Sequence, residues 1–383
     1  MSQTIPYWRL SSFYFFYFAS LGALIPYWGL YLRHQGYTPG DIGELMAILM
    51  GTRIVSPYLW SWVADHTGRS MLVIRFTAIC ATLAFAGVFI SSSFWWLALV
   101  MVVFSFFWNA ELPQFEANTM NFLGQNTHRY SFIRIWGSVG FILTVIILGV
   151  LLDKLSIVLV PVAILLLFSF IAISSFTVVD KPGQQSSEHG SIMQILKQPV
   201  VIALMLVCML GQMSHGPYYA FYSIYLSLHG YSSTDIGWLW ALGVIAELVL
   251  FLSMHRLMRS YGLWRLMMIA MALAALRWLL IAAFVELVAV IIFAQLLHAA
   301  SFGLYHVVSV ELFHRFFRGR YQGRGQALYS SVSFGLGGAI GSYASGKIWH
   351  SISPEMIYIA AAVAAALASL VAYKFMREDP QSF

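Results

Sequence analysis

Charge is scarce in this chain. Lys, Arg, Asp and Glu together make up 9% of its 383 residues, against about 25% in soluble domains. With 60% of residues hydrophobic and 16% aromatic, that scarcity excludes a water-soluble globular protein and implies an integral membrane protein. Cysteine is nearly absent as well. Cys80 and Cys208 both fall within apolar runs, where a thiol behaves as a small hydrophobe, so neither a disulfide framework nor a cysteine-based metal site is expected. No Gly-x4-Gly-Lys-Ser/Thr loop occurs, so nothing points to ATP as the energy source. The formal charge of +6 is not a nucleic-acid signal, because the arginines sit mostly in loops between apolar runs. The first run is too long and too aromatic for a signal-peptide core and reads as a retained helix.

What is present is a succession of long apolar runs. They fall at about 7–32, 40–64, 71–91, 94–119, 131–153 and 156–178, then at about 199–228, 234–256, 265–284, 286–312, 325–350 and 354–376. About 20 apolar residues suffice for a membrane helix. Lipid offers no partners for exposed backbone groups, so each run is expected to be helical. The predicted fold is all-α, with twelve transmembrane helices in two six-helix bundles. Residues 1–180 form the first bundle, 181–197 a cytoplasmic linker, and 198–383 the second bundle. Lys and Arg concentrate in the loops that share a side with both termini (Arg69, Arg129, Lys181, Arg259, Arg315 and Arg324 among them). That asymmetry predicts cytoplasmic termini in a bacterial-type inner membrane.

The halves are repeats of one another. Gly36-Tyr37-Thr38-Pro39-Gly40-Asp41-Ile42-Gly43 matches Gly230-Tyr231-Ser232-Ser233-Thr234-Asp235-Ile236-Gly237 at a constant offset of 194, which also pairs Arg53 with Glu247 and Tyr31 with Tyr225. Repeated membrane halves are the plan of a transporter that moves two bundles about a central site. Gly137 and Gly140 lie where helices need close approach and read as sites of helix contact.

The few charges inside the runs are the candidate site. An isolated Glu or Arg in hydrocarbon costs roughly 2.5–3.5 kcal/mol, so it faces a partner or a watery cavity. Glu116 and Arg134 lie eighteen residues apart, with Gln125 midway in a polar turn. This spacing places them at similar depth on adjacent helices, either as a structural clamp or as a substrate-binding pair. Arg277 and His298 flank a short turn, and each is about ten residues, roughly 15 Å, from it. Glu247 lies at comparable depth in its own run. An acid, a guanidinium and an imidazole near the bilayer centre form a candidate proton site, because burial and neighbouring charge pull in opposite directions on the acid. Arg53 is a candidate clamp for a carboxylate, since its fork binds two oxygens at once. Glu111 is five residues from Glu116, about 140° round the helix, and ranks below it. His215, His298 and His306 lack ligand spacing, so no metal is expected.

The two six-helix halves, the polar centre and Asp65-His66-Thr67-Gly68-Arg69 between the second and third runs resemble the major facilitator superfamily, although Ser61 stands where a leading glycine is usual. By that resemblance Asp65, Gly68 and Arg69 form a cytoplasmic gate. Within the superfamily, Arg134-Ile135-Trp136-Gly137-Ser138-Val139-Gly140, Ala246-Glu247, Arg277-Trp278 and Leu297-His298 are similar to the phenylpropionate permease group. More distantly the chain resembles the lactose permease group. The latter likeness places substrate binding on Glu116, Arg134 and a stacking ring at Phe141. It also matches Glu247, Arg277 and His298, but Ser301 stands where that group has an acid and its intramembrane lysines are absent. The proton path is therefore expected to differ. First-helix aromatics line the cavity of the resembled fold, which makes Tyr27 a further ring candidate.

These readings converge on a secondary transporter, not an enzyme, that takes up a small organic solute with protons. An aromatic carboxylic acid such as 3-phenylpropionate is the first expectation. A sugar or nucleoside symporter is the alternative, followed by an exporter of amphipathic compounds and then a non-transporting sensor. No cofactor besides the coupling proton is expected. The expected partners are the small-molecule substrate and the lipid bilayer, with no nucleic acid, and the protein is expected to function as a monomer.

Overall fold

The computed structural model describes residues 5–181 and 192–376. Most of the expected linker, residues 182–191, lies outside the described residues, as do Arg377 and the chain ends. Among the described residues the regular structure is helical throughout. The helices are α1 (Tyr7–His34), α2 (Pro39–Gly51), α3 (Ser56–Thr67), α4 (Ser70–Phe85), α5 (Phe94–Leu123), α6 (Tyr130–Lys154), α7 (Leu159–Thr177) and the short α8 (Met193–Leu196). After them come α9 (Pro199–Leu228), α10 (Ser233–Tyr261), α11 (Leu263–Ala283), α12 (Val288–Leu296), α13 (Tyr305–Phe316), α14 (Gln322–Ser330), α15 (Gly338–Ser351) and α16 (Pro354–Phe375).

Among the described residues, ten helical stretches are long and apolar enough to cross a membrane. Two of the expected twelve runs differ from these. The second is interrupted: a 3-10 turn at Thr52–Ile54 separates α2 from α3. Gly51 and Thr52 are weak helix formers, and the Thr52 hydroxyl is taken by α5, 2.9 Å from Ser105 Oγ and 2.9 Å from the Asn109 amide. The eleventh runs through α14, a π-helical turn at Ser331–Gly337 and α15. Its many glycines and serines lower its hydropathy. A second π turn, Ala299–Leu304, joins α12 to α13 in the tenth run.

The chain forms two compact units. One gathers α1, the Thr52–Ile54 turn, α3 to α7 and residues 232–241; the other gathers α2, α8, α9, the rest of α10 and α11 to α16. In the first unit α1 lies against α6 and α7, and α4 against α5 and α7. The α1–α6 approach is close because a Cβ on Gly140 would meet the Phe15 carbonyl oxygen. Small residues of this kind let membrane helices gain van der Waals contact. In the second unit α9 lies against α15 and α16, α11 against α16, and α2 against α15.

The repeated octapeptide has a physical cause. Gly36 and Gly230 take φ of 89° and 84°, a left-handed conformation that terminates the preceding helix at little cost only for glycine. The next helix then opens with a reciprocal cap. Asp41 accepts from the Thr38 backbone amide at 2.9 Å, while Thr38 Oγ1 accepts from the Asp41 amide at 3.2 Å. Ser232 and Asp235 repeat this at 3.0 and 3.1 Å. Such a box satisfies orphan amide groups at a helix start. Tyr37 and Tyr231 then tie their turns to the next hairpin through the Ser92 and Val285 carbonyls.

Candidate functional site

The first unit holds the Glu116–Arg134 pair. Arg134 Nε lies 3.9 Å from Glu116 Oε1, and the side chains are 29% and 39% exposed, respectively. That separation is at the outer limit of an ion pair, and half-exposed pairs of this kind contribute little stability. Tyr130 donates to the same Glu116 oxygen at 3.2 Å. The Arg134 guanidinium lies 3.7 Å from the Phe18 ring centre and 5.6 Å from that of Tyr14. It rests on an aromatic floor, an arrangement whose attraction grows as water is excluded. Gly137, one turn along α6, makes room for this stack, since a Cβ there would stand 2.7 Å from both Arg134 Nη1 and Phe18 Cδ2.

Other expected residues of this unit are placed differently. Arg53 sits in the Thr52–Ile54 turn and bonds the Tyr17 hydroxyl. Phe141 is half-buried, two turns from Arg134, with its ring 6.4 Å from that of Trp240. Tyr27 is fully buried and donates its hydroxyl to the Val145 carbonyl at 2.6 Å, so its ring fills an interhelical space. Glu111 is buried, and its Oε2 has no hydrogen-bond partner among the described residues. Gly68 closes α3 at φ 64°, with Asp65 and Arg69 exposed around it.

The second unit gathers the other intramembrane charges. Arg277 on α11 is fully buried. Its Nη2 donates to Gln295 Oε1 at 2.7 Å; its Nη1 lies 2.9 Å from His298 Nδ1 and 3.3 Å from Ser301 Oγ. The Tyr218 and Trp278 rings flank the guanidinium at 4.3 and 4.6 Å. On its other edge, His298 Nε2 stands 2.8 Å from Glu247 Oε1. Close helix approach permits this contact. A Cβ on Gly243 would lie 3.0 Å from the His298 ring, and one on Gly303 would lie 3.1 Å from Glu247 Cγ.

The protonation of this chain of groups follows from its donors. Guanidinium has only donors, so His298 Nδ1 must accept from Arg277. The neutral ring then carries its proton on Nε2, facing Glu247 Oε1. Adding a proton at Nδ1 would set two N–H groups against each other and break the Arg277 bond. The arrangement thus fixes one imidazole tautomer.

Gln295 and Phe18 were not apparent as site residues in the sequence. Gln295 is a lone amide three residues before His298, on the same face of a helix, and that spacing was a usable signal. Phe18 lies in an aromatic-rich run, Phe13-Tyr14-Phe15-Phe16-Tyr17-Phe18, where nothing distinguishes the ring that meets Arg134.

Comparison with known proteins agrees with this architecture. The MFS_1 like family matches residues 7–360. A probable 3-phenylpropionic acid transporter of Escherichia coli (strain K12) is 29% identical over 361 residues, covering 92% of this chain and 93% of the relative. A maltose permease of Geobacillus stearothermophilus is 25% identical over 341 residues, covering 85% and 83% respectively. Among solved structures, the nucleoside transporter NupG superposes with a TM-score of 0.80 at 16% identity, covering 97% of this chain and 99% of that one. An auto-inhibited POT family peptide transporter gives 0.75 at 12% identity, covering 97% and 96%. The family match and these relatives make the chain a multi-pass membrane transporter of the major facilitator type, not an enzyme. Within that class, the chain belongs to the MFS_1 like family.

Proposed function

We propose that the protein is a proton-coupled importer of an aromatic carboxylic acid of the 3-phenylpropionate kind, in an inner membrane with both termini cytoplasmic. The observation that carries this reading is the state of Arg134. Its guanidinium carbon lies over the Phe18 ring, 3.7 Å from the centroid, and the group is only loosely paired with Glu116. A planar fork of donors matches a carboxylate, and the half-buried rings of Phe18 and Tyr130 offer a surface for a phenyl group. Arg53, with Tyr17, supplies a second cation on the same unit. The similarity to a phenylpropionic acid transporter supports the same substrate class.

Glu247 carries the coupling proton in this scheme. Arg277 holds His298 in one tautomer, and His298 presents its N–H to Glu247. Loss of that proton leaves a carboxylate stabilised by the imidazole N–H, with Arg277 behind it. Asp65, Gly68 and Arg69 act at the cytoplasmic turn. A sugar symporter is the second reading. Glu116, exposed beside Arg134, is an acceptor for hydroxyl groups, and a maltose permease is among the relatives.

The test is proton influx into proteoliposomes containing a trapped pH dye, with lipid-only vesicles correcting for passive permeation of the weak acid. Protein-dependent influx is expected on adding 3-phenylpropionate and not on adding maltose or a lactoside. Influx with a sugar alone would replace the aromatic-acid reading by the sugar one.

A further inference from the structure

Glu111 has no part in the coupling scheme built on Glu247. It is 1% exposed, and its Oε2 accepts no hydrogen bond among the described residues. Its helix neighbours fix the side of α5 on which it stands. Trp108, three residues before it, stacks on the Tyr17 ring of α1 at 5.2 Å, and Phe115, four residues after it, stacks on Phe13 at 3.7 Å. Residues three and four apart share a helix face, so Glu111 lies on the stripe of α5 that meets α1, between two pairs of stacked rings. Tyr17 feels the charges of Arg53, Glu111 and Glu116, and its hydroxyl bonds Arg53. The turn that carries Arg53 is docked on the same stretch of α5, since Thr52 bonds Ser105 and Asn109. The acid and the guanidinium thus lie within electrostatic reach of one tyrosine.

A carboxylate shut away from water with an oxygen that accepts nothing is costly, and a proton removes most of that cost. Glu111 therefore holds its proton in this arrangement. Buried polar groups that serve only the fold are hydrogen-bonded, which this oxygen is not. We propose, on the reading of Arg53 as a cation for a carboxylate solute, that Glu111 is a second proton-binding site and that its carboxylate competes with that of the solute for Arg53. With the proton on Glu111, the guanidinium takes the solute. When the Glu111 O–H bond breaks, the proton passes to water and the electron pair stays on a carboxylate that draws Arg53 and displaces the solute. The other ionisable groups on the elements around α5 are engaged or exposed. Glu116 is shared by Tyr130 and Arg134, and Tyr14 donates to Thr119. Arg75 of α4 donates to the Ser175 and Val178 carbonyls. Tyr58, Asp65 and His66 of α3 are exposed, and α7 has no ionisable side chain.

The test has two readouts on the purified protein in detergent. The first is proton uptake on binding 3-phenylpropionate, followed with a pH dye in weak buffer, beside affinity measured across neutral and alkaline pH. Solute binds with Glu111 protonated, so affinity falls as pH rises through the ionisation of the unliganded acid. Above that point the unaltered protein should take up about one proton more per bound solute than Glu111→Gln, and lose about tenfold more affinity for each unit of pH. Equal uptake in the two proteins at every pH would overturn the competition. The second readout is the carboxyl C=O stretch in infrared difference spectra without solute. A band present at neutral pH, missing from Glu111→Gln, and fading as pH rises while the protein stays folded is expected. No such band, or one that never titrates, would overturn the proton site. Glu111→Asp, whose shorter acid shifts the band, carries the assignment if the glutamine variant does not fold. Failure of 3-phenylpropionate to bind at any pH would refute the carboxylate reading of Arg53, and the infrared titration would still decide whether Glu111 binds a proton.

Discussion

Gly137→Ala separates binding from folding in the first unit. The added Cβ would stand 2.7 Å from Arg134 Nη1 and 2.7 Å from Phe18 Cδ2, while comfortable carbon contacts begin near 3.5 Å. Both neighbours are side-chain atoms, so the guanidinium must slide by roughly 0.8 Å and the ring must tilt as well. Neither movement disturbs the backbones of α1 and α6. The face-on contact of Arg134 with Phe18 is lost, worth about 1–2 kcal/mol when shielded from water, and the fork no longer points where a carboxylate would sit. Binding of 3-phenylpropionate should therefore weaken about fivefold to thirtyfold. Thermal stability should hold or fall slightly, because alanine is the better helix former by about 1 kcal/mol, which offsets most of the lost contact. Gly140→Ala is the control: its Cβ meets the Phe15 backbone, so the helices must part, at a cost of about 1–3 kcal/mol. Ligand-induced shifts of Tm in detergent would measure the first effect, and Tm without ligand the second. Wild-type affinity in Gly137→Ala would refute the assignment of Arg134 as the carboxylate clamp.

Three further outcomes are expected. Glu247→Gln should keep substrate exchange between equal pools and lose uphill uptake; unchanged accumulation in a proton gradient would remove this acid from coupling. Arg277→Ala should lower stability by about 2–6 kcal/mol, because Gln295 Oε1 and His298 Nδ1 lose their donor and each buried acceptor left unsatisfied costs about 1–3 kcal/mol; thermal unfolding checks this. Thr38→Ala and Ser232→Ala should each cost about 1 kcal/mol as lost helix caps, and unequal shifts in Tm would show that the two turns are not energetic equivalents.

Periodicity and hydropathy made the helices legible, since lipid forces every apolar run of sufficient length into that form. Spacing made two contacts legible. A hairpin places residues equidistant from its turn at equal depth, and both Glu116 with Arg134 and Arg277 with His298 meet in the structure. Rotation about a helix axis was harder to read. Tyr27 has the composition of a cavity ring, yet its hydroxyl meets the Val145 carbonyl inside the α1–α6 contact, because any buried tyrosine must place its hydroxyl on an acceptor. The π turns were not legible either. One inserted residue shifts every later side chain round the helix by about 100°, so a constant 3.6-residue period does not carry across a π turn.

The repeat shows where the two halves kept one form and where they departed from it. Their turns retained the same left-handed glycine and the same reciprocal cap, because a helix can end and restart in so few residues in only a few ways. Fifteen to eighteen residues after each turn glycine they diverge. Gly51-Thr52-Arg53-Ile54 corresponds to Ile245-Ala246-Glu247-Leu248, yet the first stretch is a break and the second lies inside the unbroken α10. Glycine and threonine favour the break, and the Asn109 and Ser105 side chains hold it. Isoleucine and alanine continue the helix and hold Glu247 rigidly against His298. In the proposed scheme a proton acceptor at Glu247 benefits from that rigidity, since its affinity depends on a fixed neighbour. In the same scheme Arg53 meets the solute from the 3-10 turn that interrupts the helix. Replacing Gly51 and Thr52 with the Ile-Ala of the other half should therefore lengthen α2 through residue 54 and carry Arg53 away from Tyr17. Transport should fall while Glu247-dependent proton exchange persists. Equal loss of both activities would show that the break serves the whole fold and not the binding of solute.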